Sequence, residues 1–260
     1  MELLKLHRRR SRLSDIAYIA LNVGLALVIL AVTLSTQTIW LPLLIILVSK
    51  WRVFAVRPRF WRQNILANSV DFIVGISHVV FLYAAAGLLA IQVLLTIGYI
   101  VWLLFIKPRS KRLYVTLQAG TALFLGITAL SMVAYGYSEI LFVLGMWVIG
   151  YVSARHVLIH YEFPVTAFFS LVWALVVAEL GWFAYSWMFA YTMPNSGNLK
   201  LSQLALVVTL LGFVAERALA SHHTHGKIRR EDLVVPSVFA LSLIALLVVF
   251  FSKLTAASGL

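Results

Sequence analysis

The chain has 260 residues, of which 62% are hydrophobic and only 12% charged, and its formal net charge is +12. Soluble domains are about half apolar and a quarter charged, so this composition excludes a soluble globular protein. We expect an all-α, polytopic integral membrane helical bundle, formed by residues 1–260 as one membrane domain. The absence of cysteine excludes disulfides, thiolate metal ligands and haem attachment through cysteine.

Long apolar runs predict about nine transmembrane helices, because about 20 apolar residues are enough to cross a bilayer. The first run is too long for a signal peptide, which favours a retained signal anchor. The second run is short, and it reaches spanning length only if Lys50 and Arg52 extend towards the headgroups. The predicted spans are 16–34, 39–56, 68–85, 88–106, 113–134, 140–157, 164–191, 201–220 and 233–253.

Lysine and arginine collect in every second loop of this map. All of them except Lys200 and Lys253 then lie on the same side as the N-terminus. Because cationic loops stay in the cytoplasm, the pattern predicts a cytoplasmic N-terminus and an external C-terminus in a plasma membrane of bacterial type. The same asymmetry accounts for the high net charge without a nucleic-acid partner.

Between the second and third spans, aromatic and cationic residues alternate. Such a segment is typical of a chain that lies in the membrane interface against anionic lipids. Stacking of single-stranded nucleic acid would use similar residues, but a loop between two membrane helices favours lipid. The predicted lipid-contact residues are Trp51, Arg52, Arg57, Arg59, Trp61 and Arg62.

A stripe of polar and small residues opens the third span, at Asn64, Asn68, Asp71, Gly75 and His78. The spacings of 4, 3, 4 and 3 residues place all five on one helical face. Asp71 and His78 would relay a proton from the cytoplasmic edge, since histidine titrates near neutrality. The alternative is a hydrogen-bonded seam between helices.

Histidines cluster where the sixth and eighth spans end. His156 and His160 are four residues apart, and Glu216 and His223 are seven apart. If the two helix ends adjoin, these four side chains predict a zinc or iron site, since imidazole and carboxylate suit both metals. The alternative is a set of solvated histidines beside a basic loop, in which case no metal cofactor is expected.

One acidic residue, Glu179, lies deep inside the seventh span. A carboxylate in hydrocarbon costs several kcal/mol and is a functional-site hypothesis by default. We expect Glu179 to bind a proton, with His78 as its candidate partner. The alternative is an acid that hydrogen-bonds one helix to another.

These features favour a small proton-linked permease that uses Glu179, His78 and Asp71, with a small solute or a proton as its cargo. Nucleotide-binding glycine motifs and the common hydrolase signatures are absent from the sequence. Two alternatives are a metal-dependent membrane enzyme that acts on lipid at the cytoplasmic face, and a non-catalytic scaffold or lipid-binding protein.

Overall fold

A bundle of long apolar helices makes up the structure, a computed structural model that describes residues 12–134, 138–163, 165–186, 190–192 and 198–251. Within these ranges eight helices are long and apolar enough to cross a membrane, which confirms the all-α polytopic bundle. The elements are α1 (Arg12–Thr36), α2 (Trp40–Ser49), α3 (Trp61–Ala84), α4 (Leu89–Val101), α5 (Arg112–Ala134), α6 (Glu139–His160), α7 (Thr166–Ser186), β1 (Ala190–Thr192), β2 (Lys200–Ser202), α8 (Gln203–His225) and α9 (Arg230–Phe251).

The second predicted span, 39–56, is wrong as a spanning helix. Helix α2 has 10 residues, so it is about 15 Å long, half of a bilayer core. It ends at Lys50, whose side chain is buried in the bundle instead of extending to the headgroups. The segment after α2 runs antiparallel to the start of α3. There the side-chain amide of Asn64 donates a hydrogen bond to the Val53 carbonyl at 3.4 Å. Two 3-10 turns, Trp51–Val53 and Pro58–Phe60, connect α2 to α3.

The two ends of the bundle differ in charge. We call the end that carries Lys107, Arg112 and Arg217 the basic end, and the opposite end the far end. At the far end β1 and β2 pair antiparallel, and the Asn198 amide donates to the Ala84 carbonyl at 3.1 Å.

These strands correct the boundaries of two predicted spans. The span 164–191 is helical only to Ser186, and the helix in 201–220 begins at Gln203 and extends to His225. Ser202 caps this helix, because its hydroxyl accepts a hydrogen bond from the Ala205 amide. Residues 164, 187–189, 252 and 253 of the predicted spans lie outside the described residues.

Three apolar clusters hold the bundle together. The first lies mainly among α1 to α4 around Ile46 and Leu82, the second joins α5 to α8 around Phe142 and Met146, and a smaller third one lies around Phe81 and Ala129. Helix α3 packs against α5 and α6 and so connects the two halves, whereas α9 packs against α8. Helices α6 and α7 approach closely at Gly150. In the second half, a groove remains between α5, α6, α7 and α8.

Candidate functional site: an apolar groove and a buried charge cluster

A cluster of charges is buried in the first half of the bundle, around Asp71. The carboxylate is 5% exposed, and its Oδ2 atom contacts the ammonium groups of both Lys50 and Lys107, the latter at 2.7 Å. The indole Nε1–H of Trp102 donates to the other oxygen, Oδ1, at 3.2 Å. One carboxylate is therefore shared by two cations and a neutral donor.

A π-helical turn at Trp102–Ile106 makes this arrangement possible. The Lys107 amide donates to the Trp102 carbonyl at 2.9 Å, five residues back instead of four. In a regular α-helix, two residues five apart point about 140° away from each other, at 3.6 residues per turn. The wider turn brings Trp102 and Lys107 to the same side, where both reach Asp71.

Two uncharged polar groups lie in the same core, further along α3. The rings of His78 and Tyr99 stack with centroids 4.4 Å apart, and both residues are nearly fully buried. Among the described residues, His78 Nε2 and the Tyr99 hydroxyl have no hydrogen-bond partner. Gly75 permits this packing, because a Cβ there would lie 3.3 Å from the Tyr99 hydroxyl. The interior of the first half thus holds unused hydrogen-bonding capacity.

The structure places only part of the predicted polar stripe on α3 in the buried core. Asp71 and His78 share the buried face, as their spacing predicts, whereas Asn64 and Asn68 are half-buried nearer the basic end. The structure does not bring His78 and Glu179 together. Glu179 is exposed on the outer face of α7, and α7 packs against α6 and α8. The partners of Asp71 are instead Lys50 and Lys107.

A second site is a large groove in the other half of the bundle. Its volume is about 750 Å³, within the range of small-molecule pockets, and it lies between α5, α6, α7 and α8. Phe169, Val172, Val176 and Phe213 line it and are also exposed on the outer surface of the bundle. The groove therefore opens sideways, between α7 and α8, in the direction of the lipid.

A smaller cavity of about 400 Å³ adjoins the groove at the basic end. Thr116 and Glu216 line both spaces, so the apolar groove and this polar chamber are adjacent at these two residues. The chamber walls also carry Arg112, Arg217 and Asp232. An apolar groove thus lies next to a charged compartment.

Glu216 is the centre of the hydrogen bonds at this junction. Its Oε1 atom accepts from the Tyr161 hydroxyl at 2.6 Å and from the Thr116 hydroxyl at 3.2 Å, and its Oε2 pairs with Arg217 at 2.9 Å. Burial of the hydroxyl and its bond to Glu216 raise the pKa of Tyr161 to about 12. The carboxylate is therefore already occupied by protein donors.

Arg112 has spare capacity at the same place. Its guanidinium lies 4.2 Å over the Tyr161 ring, and Nε donates to the Tyr161 oxygen. Its buried Nη2 has no hydrogen-bond partner among the described residues. An unsatisfied guanidinium nitrogen beside a polar chamber fits an anionic group, which planar arginine binds well.

No family model, curated protein or solved structure matches this chain. The functional conclusion therefore depends on the two sites themselves.

The structure does not gather the predicted metal ligands. The Glu216 carboxylate is bonded to Tyr161 and Arg217. His156 Nε2 forms a hydrogen bond with Gln118 at 2.7 Å, and the His223 ring packs edge-on against Tyr161. His160 is exposed at the end of α6. In the described part of the chain, no group of three or more His, Asp or Glu residues is close enough to hold a metal ion. The zinc or iron site stays a prediction without geometric support.

The predicted interface segment lies on the surface before and at the start of α3. The side chains of Trp51 and Trp61 are 62% and 40% exposed, and the exposed cations of this segment are Arg57, Arg59 and Arg62. Arg52 belongs to a short 3-10 turn. This surface is compatible with lipid contact, which remains a prediction.

Proposed function

We propose that this integral membrane protein binds an anionic single-chain amphiphile of lipid type, as the loading step of a small permease in the cytoplasmic membrane. The observation that carries the proposal is that the apolar groove and the polar chamber lie side by side and share Thr116 and Glu216. An amphiphile would place its chain in the groove and its charged head in the chamber.

The lateral opening supports entry from the bilayer. Exposed apolar side chains on α7 and α8 form the rim, so a lipid tail would leave hydrocarbon for a surface of similar polarity. Little free energy is gained from the tail alone, because lipid chains are as apolar as the groove. Affinity and selectivity would therefore come from the head.

The charge of the head follows from the chamber. Both of its acids have protein partners: Glu216 pairs with Arg217, and Asp232 accepts from Ser221 at 2.6 Å. Arg112 keeps one buried donor that has no partner in the described part of the chain, and Arg217 is 42% exposed. An anion such as a phosphate or a carboxylate would use both guanidinium groups.

The position of the chamber suggests the side of the membrane. It lies at the basic end, where α4, α6 and α8 end and the cationic loops begin. Because cationic loops remain in the cytoplasm, the head would be presented to the cytoplasm.

The binding test uses purified protein and a lysophospholipid with an anionic head, and counts bound molecules by native mass spectrometry. Gly120 lines the groove, and a Cβ there meets no atom within 4 Å, so Gly120→Leu is chosen to place a side chain in the groove. We expect about tenfold weaker binding, equal to about 1.4 kcal/mol. Equal binding by wild type and Gly120→Leu would refute the groove as the site.

Two matched controls sharpen this experiment. Gly98→Leu adds the same side chain to an exposed position on α4, where a Cβ also meets nothing, and it should bind as wild type does. A zwitterionic lysolipid of equal chain length should bind more weakly than the anionic one. Transfer of the amphiphile between leaflets of proteoliposomes, measured on the same variants, tests the permease step separately from binding.

A further inference from the structure

We propose that the buried cluster of Lys50, Asp71 and Lys107 is a proton-binding site in which Lys50 releases and takes up the proton. This site lies in the first half of the bundle, apart from the groove, so it does not depend on the proposed amphiphile. Its ligand is the proton itself, exchanged with water at the basic end.

The first argument is the imbalance of charge. Two ammonium groups contact the same oxygen of Asp71, and the third contact of this carboxylate, from Trp102, is neutral. With both lysines protonated, the cluster holds one uncompensated positive charge in the interior. Two like charges this close repel strongly in a medium of low dielectric constant, so loss of one proton relieves the repulsion.

The second argument is the difference between the two lysines. Lys50 is 7% exposed, whereas the side chain of Lys107 is 32% exposed and reaches the basic end. An ammonium that water solvates keeps its charge more easily than a buried one. Lys50 is therefore the lysine of this pair that gives up its proton more readily.

In the part of the chain that the structure describes, Asp71 is the one anion around Lys50. Among the described residues, the titratable groups of this core are Asp71 and His78 on α3, Tyr99 on α4, Lys107 after the π turn, Tyr18 on α1 and Tyr151 on α6. The Tyr18 hydroxyl donates to the Leu103 carbonyl at 3.0 Å. Asp71 is the only carboxylate in this set. Deprotonation of Lys50 therefore leaves a neutral amine beside a balanced pair of Asp71 and Lys107.

The proton step is a simple exchange. The N–H bond of the Lys50 ammonium breaks, the electron pair stays on Nζ, and the proton passes to water by way of the half-exposed Lys107 side of the cluster. In the reverse step Nζ takes a proton from water. Because Lys50 ends α2 and Asp71 lies on α3, the exchange changes the attraction between these two helices.

The direct test is nitrogen NMR of the full chain in micelles, with lysine Nζ labelled. The resonance missing from Lys50→Met, or from Lys50→Arg if the first variant does not fold, identifies Lys50. We expect it to titrate at lower pH than the exposed Lys111 and Lys227. Titration of Lys50 together with these exposed lysines would overturn the proposal.

A second variant tests the cause. Lys107→Met removes the competing cation and leaves Lys50 with the whole carboxylate, so the midpoint of Lys50 should move to higher pH. An unchanged or lower midpoint would show that the two lysines do not compete for Asp71. Lys111→Met, a neighbouring exposed position, is the matched control and should leave the Lys50 midpoint unchanged.

Discussion

The Tyr161 hydroxyl donates a 2.6 Å hydrogen bond to Glu216 and so links the end of α6 to α8. The same oxygen receives the Nε–H of Arg112 at the start of α5. Three helices of the second half are therefore held together at the junction of the groove and the chamber. The geometry of the proposed head site depends on this one phenol.

The first prediction concerns stability at high pH. The pKa of Tyr161 is raised to about 12, so the folded protein keeps this proton above pH 10, where the unfolded chain loses it. The contribution is complete below about pH 10 and is lost as pH rises towards about 12. Wild type should lose more stability than Tyr161→Phe across this window, measured by chemical unfolding in detergent. Parallel curves for the two proteins would contradict it.

The second prediction concerns the carboxylate of the charge cluster. Asp71→Asn leaves the buried ammonium group of Lys50 and the partly exposed one of Lys107 without an anion, which should lower the free energy of unfolding by about 3–5 kcal/mol. The double variant Asp71→Asn, Lys50→Met should recover part of this loss, because one of the two uncompensated charges is gone. If Asp71→Asn alone were as stable as wild type, the ion pairs of Asp71 with the two lysines would contribute nothing to stability.

The third prediction concerns the contact between α6 and α7. A Cβ at Gly150 would lie 2.9 Å from Val177 Cβ and 3.2 Å from the Ala174 backbone, so Gly150→Ala forces the helices apart. We expect a loss of about 1–3 kcal/mol. Gly98→Ala, at an exposed position with free space, should be neutral or slightly stabilising. Equal effects at the two positions would contradict the close approach.

The fourth prediction concerns Glu179. Because this carboxylate is exposed on the outer face of α7, Glu179→Leu should favour membrane insertion of the helix, by about 2–3 kcal/mol on insertion scales. A glycosylation-based insertion assay on α7 gives the value. The variant should still bind the amphiphile, since Glu179 does not line the groove. Loss of binding would assign Glu179 a role that its position does not suggest.

Much of the fold could be predicted because hydropathy and length determine where helices cross a bilayer. The face of α3 that carries Asp71 and His78 could also be predicted, since helical spacing alone places them together. The side of α7 on which Glu179 lies could not be predicted from the sequence. Helix α7 is apolar on nearly every side, so its sequence does not distinguish the face that packs from the face that meets lipid.

The partners of Asp71 were missed for a different reason. Lys50 and Lys107 are 21 and 36 residues away from it in sequence, and both stand at the ends of apolar runs. A lysine in that position ordinarily extends to the headgroups, so sequence alone favours the interface. Only the packing of a short α2 against α3 shows that Lys50 points inwards. The groove likewise exists only through the arrangement of four helices.

The π turn at Trp102–Ile106 makes the length of this segment matter as much as its side chains. In a regular α-helix of the same length, Lys107 would lie about 140° from Trp102 and would point away from Asp71, with every functional side chain still present. Such a protein would keep its composition and hydropathy and still lose the charge cluster. Spacing, in this part of the chain, is therefore itself a functional property of the sequence.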